Sequence, residues 1–438
     1  KATMRCCIFK ERAIVQERIK LALGGDKNNP NVVEVIDIAC DECPIGGIFV
    51  TSACRGCIVH RCQEVCPKGA IQIIDHKAVV DKSKCVECGK CTQACPYGAI
   101  LHQKRPCVSS CKVKAITVGE DKKAVIDNNK CISCGACVYQ CPFGAIVDKS
   151  MIMESIDILK KSEEGKKYHV YAVIAPSIVS QFKYAKIEQV VTGIRKLGFH
   201  QVVEAALGAD ITLYHEAEEW KEKGVLTTSC CPSFVMFVEK NFPDLAKYVS
   251  HSVSPMVEAA MLIKRTDPAG KVIFIGPCAS KKLEYKLPKT QGAIDSVLSF
   301  EELQAFLDAR GIDVGSLEET SLDNASFYGR IFAKSGGIAQ GISDVAAEYG
   351  IEGIKPLAMN GIDECRAALM KLKLNRATEN FFEGMACDGG CLNGALCLNH
   401  GPKNVVDVDK YGASAKEKTI DNSVKLYKLS IGDTGADS

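Results

Sequence analysis

Cysteines are the residues of this chain most able to do chemistry, and they fall into two sets. The 438 residues include 25 cysteines, of which 18 precede residue 150 and seven follow it. Cysteines at this density form either a disulfide scaffold or thiolate ligands for metal. The chain is far longer than small disulfide-rich domains, no secretion signal is visible, and the spacing fits ligation. We therefore interpret most of the cysteines as metal ligands.

Two stretches of the first set have the complete spacing Cys-x2-Cys-x2-Cys-x3-Cys-Pro of bacterial ferredoxins, beginning at Cys85 and at Cys131. Three thiolates of such a run wrap one 4Fe-4S cubane, and the fourth leaves to ligate a second cubane. Two related units are irregular. One begins at Cys54 and has two extra residues, and the other keeps only Cys107 and Cys111. The first half is therefore predicted to bind several cubanes.

Exchanging the fourth ligands between runs assigns three cubanes. The predicted sets are Cys54, Cys57, Cys62 with Cys95; Cys85, Cys88, Cys91 with Cys66; and Cys131, Cys134, Cys137 with Cys111. Cys107 and Cys141 then lack two ligands, which Cys40 and Cys43 could supply, giving about four cubanes. The alternative for Cys40 and Cys43 is a small zinc-like clip or a pair of free thiols.

The same runs predict the domain organisation of the first half. Two-stranded hairpins are expected at 71–81 and 116–126. We therefore predict α+β ferredoxin-like modules at 54–102 and 103–149. The N-terminal segment 1–53 would contribute possible cluster ligands, although its adjacent Cys6 and Cys7 are interpreted as free thiols.

A linker and an α/β domain are predicted to follow. The stretch 150–168 is amphipathic and then highly charged, which indicates a short helix and a boundary. Strands and helices then alternate through 169–400, which predicts parallel sheets with sites in the loops at strand ends. Helical patterns fall at 185–197, 233–242, 255–265, 300–310, 338–349 and 361–372, and strands at 169–176, 202–206 and 272–275. The tail 401–438 is polar and shows no recognisable chemistry.

Three loops of this second half carry the remaining candidate ligands. They are TSCCP at 228–232 with Cys230 and Cys231, PCASKKLE at 277–284 with Cys278, and MACDGGC at 385–391 with Cys387 and Cys391. A buried cysteine is often only a small hydrophobic residue, which is how we interpret Cys365 in its helical pattern. The loop cysteines lie instead among Gly and Pro, so we predict that four of them converge on one iron–sulfur site. The role of Cys397 stays open.

The three motifs, in this order after ferredoxin-like runs, resemble the signature motifs of FeFe-hydrogenases. The resemblance extends from about residue 40 to about residue 395. It implies a fold of two α/β lobes around an H-cluster, a 4Fe-4S cubane linked to a diiron unit that carries CO, cyanide and a dithiolate bridge. It also implies that Cys231, Cys278, Cys387 and Cys391 hold that cubane, with Cys391 bridging to the diiron unit.

The resemblance also implies a proton path and a set of residues around the cofactor. Cys230 would carry the terminal proton-shuttling thiol, and the path would continue through Glu216, Ser250 and Glu219. Lys281 matches the lysine that contacts a cyanide ligand, and Glu284 would orient this lysine or extend a relay. The residues implied to lie beside the cofactor are Pro176, Ser177, Pro277, Lys281, Gly336, Gly337 and Met385.

Several positions depart from the family pattern. Ser233 follows TSCCP where glycine is usual, Gly276 stands where a methionine normally precedes Pro-Cys, and Met256 stands where glutamine is common. The Gly-rich segment usual after Cys391 is also replaced. We interpret the chain as a member of a divergent monomeric subgroup.

These features predict a hydrogenase that reversibly reduces protons to H2, with electrons relayed through the N-terminal clusters. The alternatives are an H2-sensing protein and an iron–sulfur assembly protein without the diiron unit. The expected partners are a ferredoxin or similar small electron carrier and the maturation proteins of the diiron unit. A net charge of +2 and a single Trp argue against nucleic-acid binding. No stretch is apolar enough to span a membrane, so we expect a cytoplasmic protein.

Overall fold

The computed structural model describes residues 7–26, 28–44, 46–290 and 292–425. Small two-stranded sheets joined by short helices extend to residue 148, and two parallel sheets covered by helices follow. This arrangement confirms the predicted fold class of α+β cluster modules followed by an α/β domain. No described helix is both long and apolar enough to cross a membrane.

The first region consists of short elements that hold the cysteine runs between them. They are α1 (Ile8–Ala22), β1 (Val33–Val35), β2 (Gly47–Val50), α2 (Arg61–Glu64), β3 (Ile71–Ile74), β4 (Lys77–Val80), α3 (Lys90–Ala94), β5 (Ile100–Gln103), α4 (Pro106–Ser110), β6 (Ile116–Val118), β7 (Ala124–Ile126), α5 (Ala136–Tyr139) and β8 (Ile146–Asp148). The hairpins β3–β4 and β6–β7 lie where the sequence predicts them.

Strand pairing places one module inside the other. β2 pairs with β5, which closes a first module over 47–103. β1 pairs with β8, so the second module begins near residue 33, is interrupted by the whole first module, and resumes near residue 104. The strands β1 and β2 lie in the segment 1–53 that the sequence-based bounds left outside both modules. They are three and four residues long and pair with distant strands, so local periodicity gives no sign of them.

The second region contains two parallel sheets, in the orders β10-β9-β12-β13 and β11-β15-β14. Its elements are α6 (Ile152–Lys161), β9 (Val170–Ile174), α7 (Ile187–Lys196), β10 (Gln201–Glu204), α8 (Ala205–Lys223), β11 (Leu226–Thr227), α9 (Pro232–Asn241), α10 (Pro255–Thr266), β12 (Lys271–Ile275), α11 (Lys281–Glu284), β13 (Ser296–Leu298), α12 (Phe300–Ala309), α13 (Phe327–Ile331), α14 (Gly337–Glu348), β14 (Pro356–Asn360), α15 (Gly361–Lys373), β15 (Phe381–Met385), α16 (Asn404–Ala413) and α17 (Ile420–Lys425).

The strand order brings the carboxyl ends of both sheets toward one region. Each of the three motif loops begins within a few residues of the end of a strand, β11, β12 or β15. Helix α8 lies between the sheets and is buried along most of its 19 residues. It packs most extensively against α10, and Gly208 allows this because a Cβ there would lie 2.1 Å from the carbonyl oxygen of Pro255. This close packing fixes the wall between the two sheets.

A buried ion cluster joins the second module to the α/β domain. Lys282 has no solvent exposure, and its Nζ lies 2.6 Å from a carboxylate oxygen of Asp148 and 2.8 Å from one of Glu302. Burial lowers the pKa of Lys282, but the two carboxylates outweigh it and raise the pKa overall. Glu302 also accepts the backbone N–H of Met151. Since Asp148 ends β8 and Glu302 lies in α12, one lysine connects the two regions.

Candidate functional site: a cysteine-lined cavity

A cavity between the two parallel sheets is lined by residues of all three cysteine motifs. Its thiol-bearing residues are Cys134, Cys230, Cys231, Cys278, Cys387 and Cys391, and its main apolar residues are Pro176, Met256, Phe274, Pro277, Phe332 and Met385. The positively charged side chain of Lys281 also lines this wall. The site combines a concentration of thiols, one cation and an otherwise apolar surface.

The thiols of Cys231, Cys278, Cys387 and Cys391 come together at this cavity. Burial is the main cause that raises the pKa of the Cys231, Cys387 and Cys391 thiols, and the charge of Cys278 raises each of them further. These thiols are surrounded by protein atoms although their surfaces are open to the cavity, Cys391 most of all. Thiols crowded in this way ionise readily only when a cation compensates their charge. The donor set therefore fits an iron–sulfur cluster, and the four predicted ligands of the catalytic cubane are neighbours.

A line of polar side chains leads from Cys230 toward the surface. The backbone N–H of Ser229 donates to Oε1 of Glu216 at 3.3 Å, and Oε2 of Glu216 is buried with no hydrogen-bond partner among the described residues. One helical turn along α8, Glu219 accepts the hydroxyl of Ser250 at 2.5 Å. The backbone N–H that also donates to Glu219 belongs to His251, whose side chain is exposed. The structure thus places Glu216 beside the Cys230 loop and Glu219 beside Ser250, and a proton path through the four residues stays a prediction.

The two carboxyl groups of this line have opposite protonation preferences. Burial raises the pKa of Glu216 to about 8. Burial also acts on Glu219, but hydrogen bonds from Lys223, Ser250 and His251 outweigh it and lower the pKa. The inner carboxyl group is therefore protonated near neutral pH, and the outer group is a carboxylate. Lys223 lies four residues after Glu219 on α8, a spacing that could have identified it from the sequence.

Lys281 is held from two sides at the cavity wall. Its Nζ donates to the backbone oxygen of Cys230 at 3.0 Å and to Oε2 of Glu284 at 2.6 Å. Burial lowers the pKa of Lys281, but Glu284 and the neighbouring thiolates outweigh it and raise the pKa overall. A protonated amine fixed in this position suits an anionic ligand. Glu284 does not line the cavity, and its carboxylate contacts the cavity wall through Lys281.

The predicted cofactor-lining residues divide into two groups. Pro176, Pro277 and Met385 line the cavity. Ser177 follows Pro176 and is fully buried, and its hydroxyl has no hydrogen-bond partner among the described residues. This is expected if the hydroxyl donates a hydrogen bond to a group bound in the cavity. The Gly336–Gly337 turn does not reach the wall. A Cβ on Gly337 would lie 2.1 Å from the carbonyl oxygen of Ile331. The glycine therefore allows the turn to pack against the backbone of the preceding helix, and not against the cavity.

The departures from the family pattern have a structural explanation at Gly276. A Cβ there would lie 2.6 Å from the ring of Phe274, which is one of the cavity residues. Phe274, rather than residue 276, therefore forms this part of the wall. Ser233 and Met256, the other substituted positions, also line the cavity. The sequence gives no signal for Phe274, because its ring reaches the cavity only through the space left at Gly276.

The cysteine runs of the first module bring together most members of the two predicted sets. Burial raises the pKa of the Cys62 thiol, and Cys95 and Cys54 lie near enough to raise it further. A small cavity is lined by the second set, Cys66, Cys85, Cys88 and Cys91. Backbone N–H groups four residues after a fourth-position cysteine donate to its sulfur in all four units: Ala70 to Cys66, Ala99 to Cys95, Ala115 to Cys111 and Ala145 to Cys141.

The second module repeats this arrangement across the inserted module. Burial, together with the neighbouring Cys40, Cys43 and Cys141, raises the pKa of the Cys107 thiol to about 11. Ala124 donates its N–H to the Cys40 sulfur as Ala78 does to Cys54, which makes the two positions equivalent. The remaining set, Cys111, Cys131, Cys134 and Cys137, is also assembled.

Alternative roles of the cysteines find little support. The described cysteines from Cys40 onward are all free of disulfide bonds. No group of three or more His, Cys, Asp or Glu side chains among the described residues is placed to hold a single metal ion. Cys365 and Cys397 are buried and lie off the cavity wall. Cys6 lies outside the described residues.

The second module brings one cubane site against the cavity. Cys134 lines the cavity itself, and its charge acts on the Cys387 thiol. The contact is close because Gly135 has no side chain: a Cβ there would lie 2.7 Å from the Cβ of Ala395 and 3.0 Å from that of Ala279. Two cysteine-lined sites are thus adjacent, as short-range electron transfer requires.

The folds and cysteine sets define an iron–sulfur protein with several cluster sites. Residues 53–99 match a 4Fe-4S dicluster domain, and residues 84–143 match a 4Fe-4S double cluster binding domain. Residues 168–395, more than half of the chain, match the C-terminal domain of the iron only hydrogenase large subunit. The chain therefore belongs to the FeFe-hydrogenase family.

Individual relatives agree at modest identity. Iron hydrogenase 1 from Clostridium pasteurianum is 28% identical over 442 residues, covering 84% of this chain and 76% of the relative. The periplasmic Fe hydrogenase large subunit from Nitratidesulfovibrio vulgaris is 29% identical over 384 residues, covering 73% and 86%. The cytosolic Fe-S cluster assembly factor NAR1 from Eremothecium gossypii also matches, at 31% identity over 140 residues, covering 30% and 31%.

Solved structures support the fold. An FeFe-hydrogenase structure described in terms of oxygen inactivation of the H cluster superposes with a TM-score of 0.53 at 21% identity, covering 64% of this chain and 94% of that chain. A variant of the FeFe-hydrogenase HydA1 from Chlamydomonas reinhardtii gives a TM-score of 0.53 at 20% identity, with coverage of 64% and 93%.

Proposed function

We propose that this protein is a hydrogenase that reversibly reduces protons to H2 at an H-cluster, fed with electrons through its N-terminal cubanes. One observation carries the proposal. A cavity with four clustered thiols and one fixed lysine has carboxyl and hydroxyl groups, those of Glu216, Ser250 and Glu219, placed at intervals between its Cys230 loop and the surface. Such a line is needed to exchange protons with solvent, and a protein that only stores or transfers clusters has no use for it.

The residues of the cavity have separable roles in this proposal. When bound, the cofactor supplies the metal centre at which protons and electrons combine. The thiols of Cys231, Cys278, Cys387 and Cys391 would hold its cubane. Lys281 would donate hydrogen bonds to an anionic ligand, and the apolar residues, among them Met256, would exclude water.

Proton movement is assigned to the side chains alone. The thiol of Cys230 would exchange a proton with the cavity, and Oε2 of Glu216, which lacks a partner, would carry it outward. The hydroxyl of Ser250 and the carboxylate of Glu219 would pass it to the surface near His251. Each group has a protonation state suited to its place, with a neutral acid inside and a carboxylate outside.

Infrared spectroscopy of protein matured with the diiron unit, together with H2 evolution from reduced methyl viologen, tests the proposal. We expect CO and cyanide stretching bands and H2 production. Cys230→Ala should keep the bands and lower the rate by about 10²–10⁴-fold, the range for a lost general acid or base. Cys365→Ala, which alters a cysteine off the cavity wall, is the control and should leave the rate unchanged.

The other outcomes separate the alternatives. Bands with negligible turnover in the unmodified protein would indicate a sensor. Absence of the CO and cyanide bands would favour the hypothesis of an iron–sulfur assembly protein. The similarity to the NAR1 assembly factor supports this hypothesis in part. An electron carrier such as ferredoxin, maturation proteins and a cytoplasmic location belong to the same proposal.

A further inference from the structure

Arg105 is a buried cation without a counter-charge among the described residues. Only 5% of its surface is exposed, and its Nη2 donates to the backbone oxygen of Cys43 at 3.4 Å. Its Nε and Nη1 have no hydrogen-bond partner, and no described carboxylate lies within ion-pair distance. A buried guanidinium in this condition is strongly unfavourable unless a negative group lies beside it.

The nearest source of negative charge is the cysteine set of the interrupted module. Arg105 lies next to Pro106 and two residues before Cys107, at the point where the chain re-enters the second module. The positive charge of Arg105 also acts on the thiol of Cys43. Four thiolates around a cubane give a net negative charge, which would become larger when the cluster accepts an electron. The orphaned guanidinium and this cluster site therefore complement each other.

The internal repeat indicates that this cation is specific to one cluster. The position two residues before the third cysteine is Arg105 in this unit, but His60, Gly89 and Gly135 in the other three. The Cys131 sulfur receives neutral donors, among them the amide of Asn31, whose Nδ2 lies 3.3 Å away. The cation beside this set is Lys240, whose Nζ donates to the backbone oxygen of Cys131 at 2.6 Å, but Lys240 is exposed and its charge is therefore screened by solvent.

The cation near the cysteines of the first module is exposed to solvent, unlike the buried Arg105. The cation that acts on Cys54 is Lys77, which is exposed and therefore screened by solvent. A buried cation stabilises the reduced, more negative state of a cluster more than an exposed one does. The four cluster sites should therefore differ in potential, with the site beside Arg105 at the upper end.

We propose that Cys40, Cys43, Cys107 and Cys141 hold a fourth N-terminal cubane whose charge is balanced by Arg105, and that this cubane has the highest reduction potential of the four. On reduction it takes up one electron, and no bond is formed or broken. Its consequence for catalysis rests on the proposed function: the cluster would retain one electron within the series of N-terminal clusters while a second arrives.

The test uses the full chain reconstituted with iron and sulfide but without the diiron unit, so it does not depend on hydrogenase activity. Iron is counted per chain, and reduction is followed by electron paramagnetic resonance during a potentiometric titration. The double substitution Cys40→Ala/Cys43→Ala should remove one cubane's iron together with the signal of highest potential. Unchanged iron content in this variant would overturn the cluster assignment.

The role of the cation is tested by three single substitutions. Arg105→Gln should keep the iron but lower the equilibrium constant for reduction of the highest-potential cluster at least tenfold, which is 59 mV for a one-electron couple. Arg105→Lys should retain most of the original potential because it keeps the charge. Lys77→Gln is the matched control and should change nothing at this cluster.

Two results would overturn the assignment to Arg105. One is an unchanged potential in Arg105→Gln, and the other is an equal shift in Lys77→Gln. If Arg105→Gln loses the cubane altogether, its retention in Arg105→Lys supports charge balance, and its loss in both variants refutes it.

Discussion

Replacing Glu216 with Gln is expected to lower the rate of hydrogen evolution by about 10²–10⁴-fold while the infrared bands of the cofactor stay in place. Glutamine keeps the shape of the side chain and can still accept the N–H of Ser229. It cannot release and recover a proton, so the line between Cys230 and Glu219 is broken at its buried member. The change acts on proton delivery alone, which is why rate and cofactor signals should separate.

The pH dependence of this variant provides a second measurement. Because burial raises the pKa of Glu216 to about 8, the group holds a proton below that pH and loses it above. Hydrogen evolution by the unmodified protein should therefore fall as the pH rises through about 8, and the residual rate of Glu216→Gln should lack this inflection. The raised pKa also lowers the stability of the folded state progressively as the pH rises from the unfolded pKa, 4.5, to about 8, because only the unfolded chain releases the proton in this range, and the loss remains at higher pH.

Glu218→Gln is the matched control for both measurements. Glu218 lies on the same helix, is about two-fifths exposed and pairs with Lys221 at the surface. Its substitution should change neither the rate nor the pH profile. Equal rates in Glu216→Gln and the unmodified protein would exclude Glu216 from the proton path and would leave the cofactor assignment untouched.

Replacing Lys282 with Met should destabilise the protein by about 3–5 kcal/mol, the cost of breaking a buried ion pair from one side. Methionine fills most of the volume of lysine but leaves the carboxylates of Asp148 and Glu302 without their shared cation. Because the two carboxylates belong to different regions, the loss should also loosen the contact between the second module and the α/β domain.

The stability of the variant can be measured by urea denaturation, with limited proteolysis near 149–151 reporting separation of the two regions. Lys289→Met, at an exposed position a few residues away, is the control. A further variant that also neutralises both carboxylates, Asp148→Asn/Lys282→Met/Glu302→Gln, should recover part of the stability. If Lys282→Met proves as stable as the control, the ion cluster is not what joins the regions.

Short-range patterns in the sequence predicted the parts of the fold that depend on local contacts. The helix expected at 255–265 spans Pro255–Thr266, and the one expected at 233–242 spans Pro232–Asn241. Both bury one face and begin at proline, a residue that suits the first helical turn. The cubane sets were likewise accessible, because wrapping one cluster fixes the spacing of neighbouring cysteines.

Other elements depend on contacts that spacing does not encode. The strand expected at 202–206 ends at Glu204, because Ala205 begins the long buried helix α8. Helix α1 was not predicted, since only Ile14 and Leu21 of its 15 residues are buried. The roles of Phe274 and Arg105 likewise come from three-dimensional neighbours, a missing Cβ in one case and an unpaired charge in the other.

The insertion of the first module into the second also has a consequence for the order of assembly during synthesis. The first module has all its cysteines between Cys54 and Cys95 and can close as soon as that stretch leaves the ribosome. The set that includes Cys40 is separated from Cys107 by the whole inserted module, and it also needs Cys141. We expect chains that end near residue 104 and have been released from the ribosome to carry iron for two cubanes, and full-length chains to carry iron for more. Cys40 and Cys43, the first cluster ligands to be synthesised, would then be the last to receive their cluster.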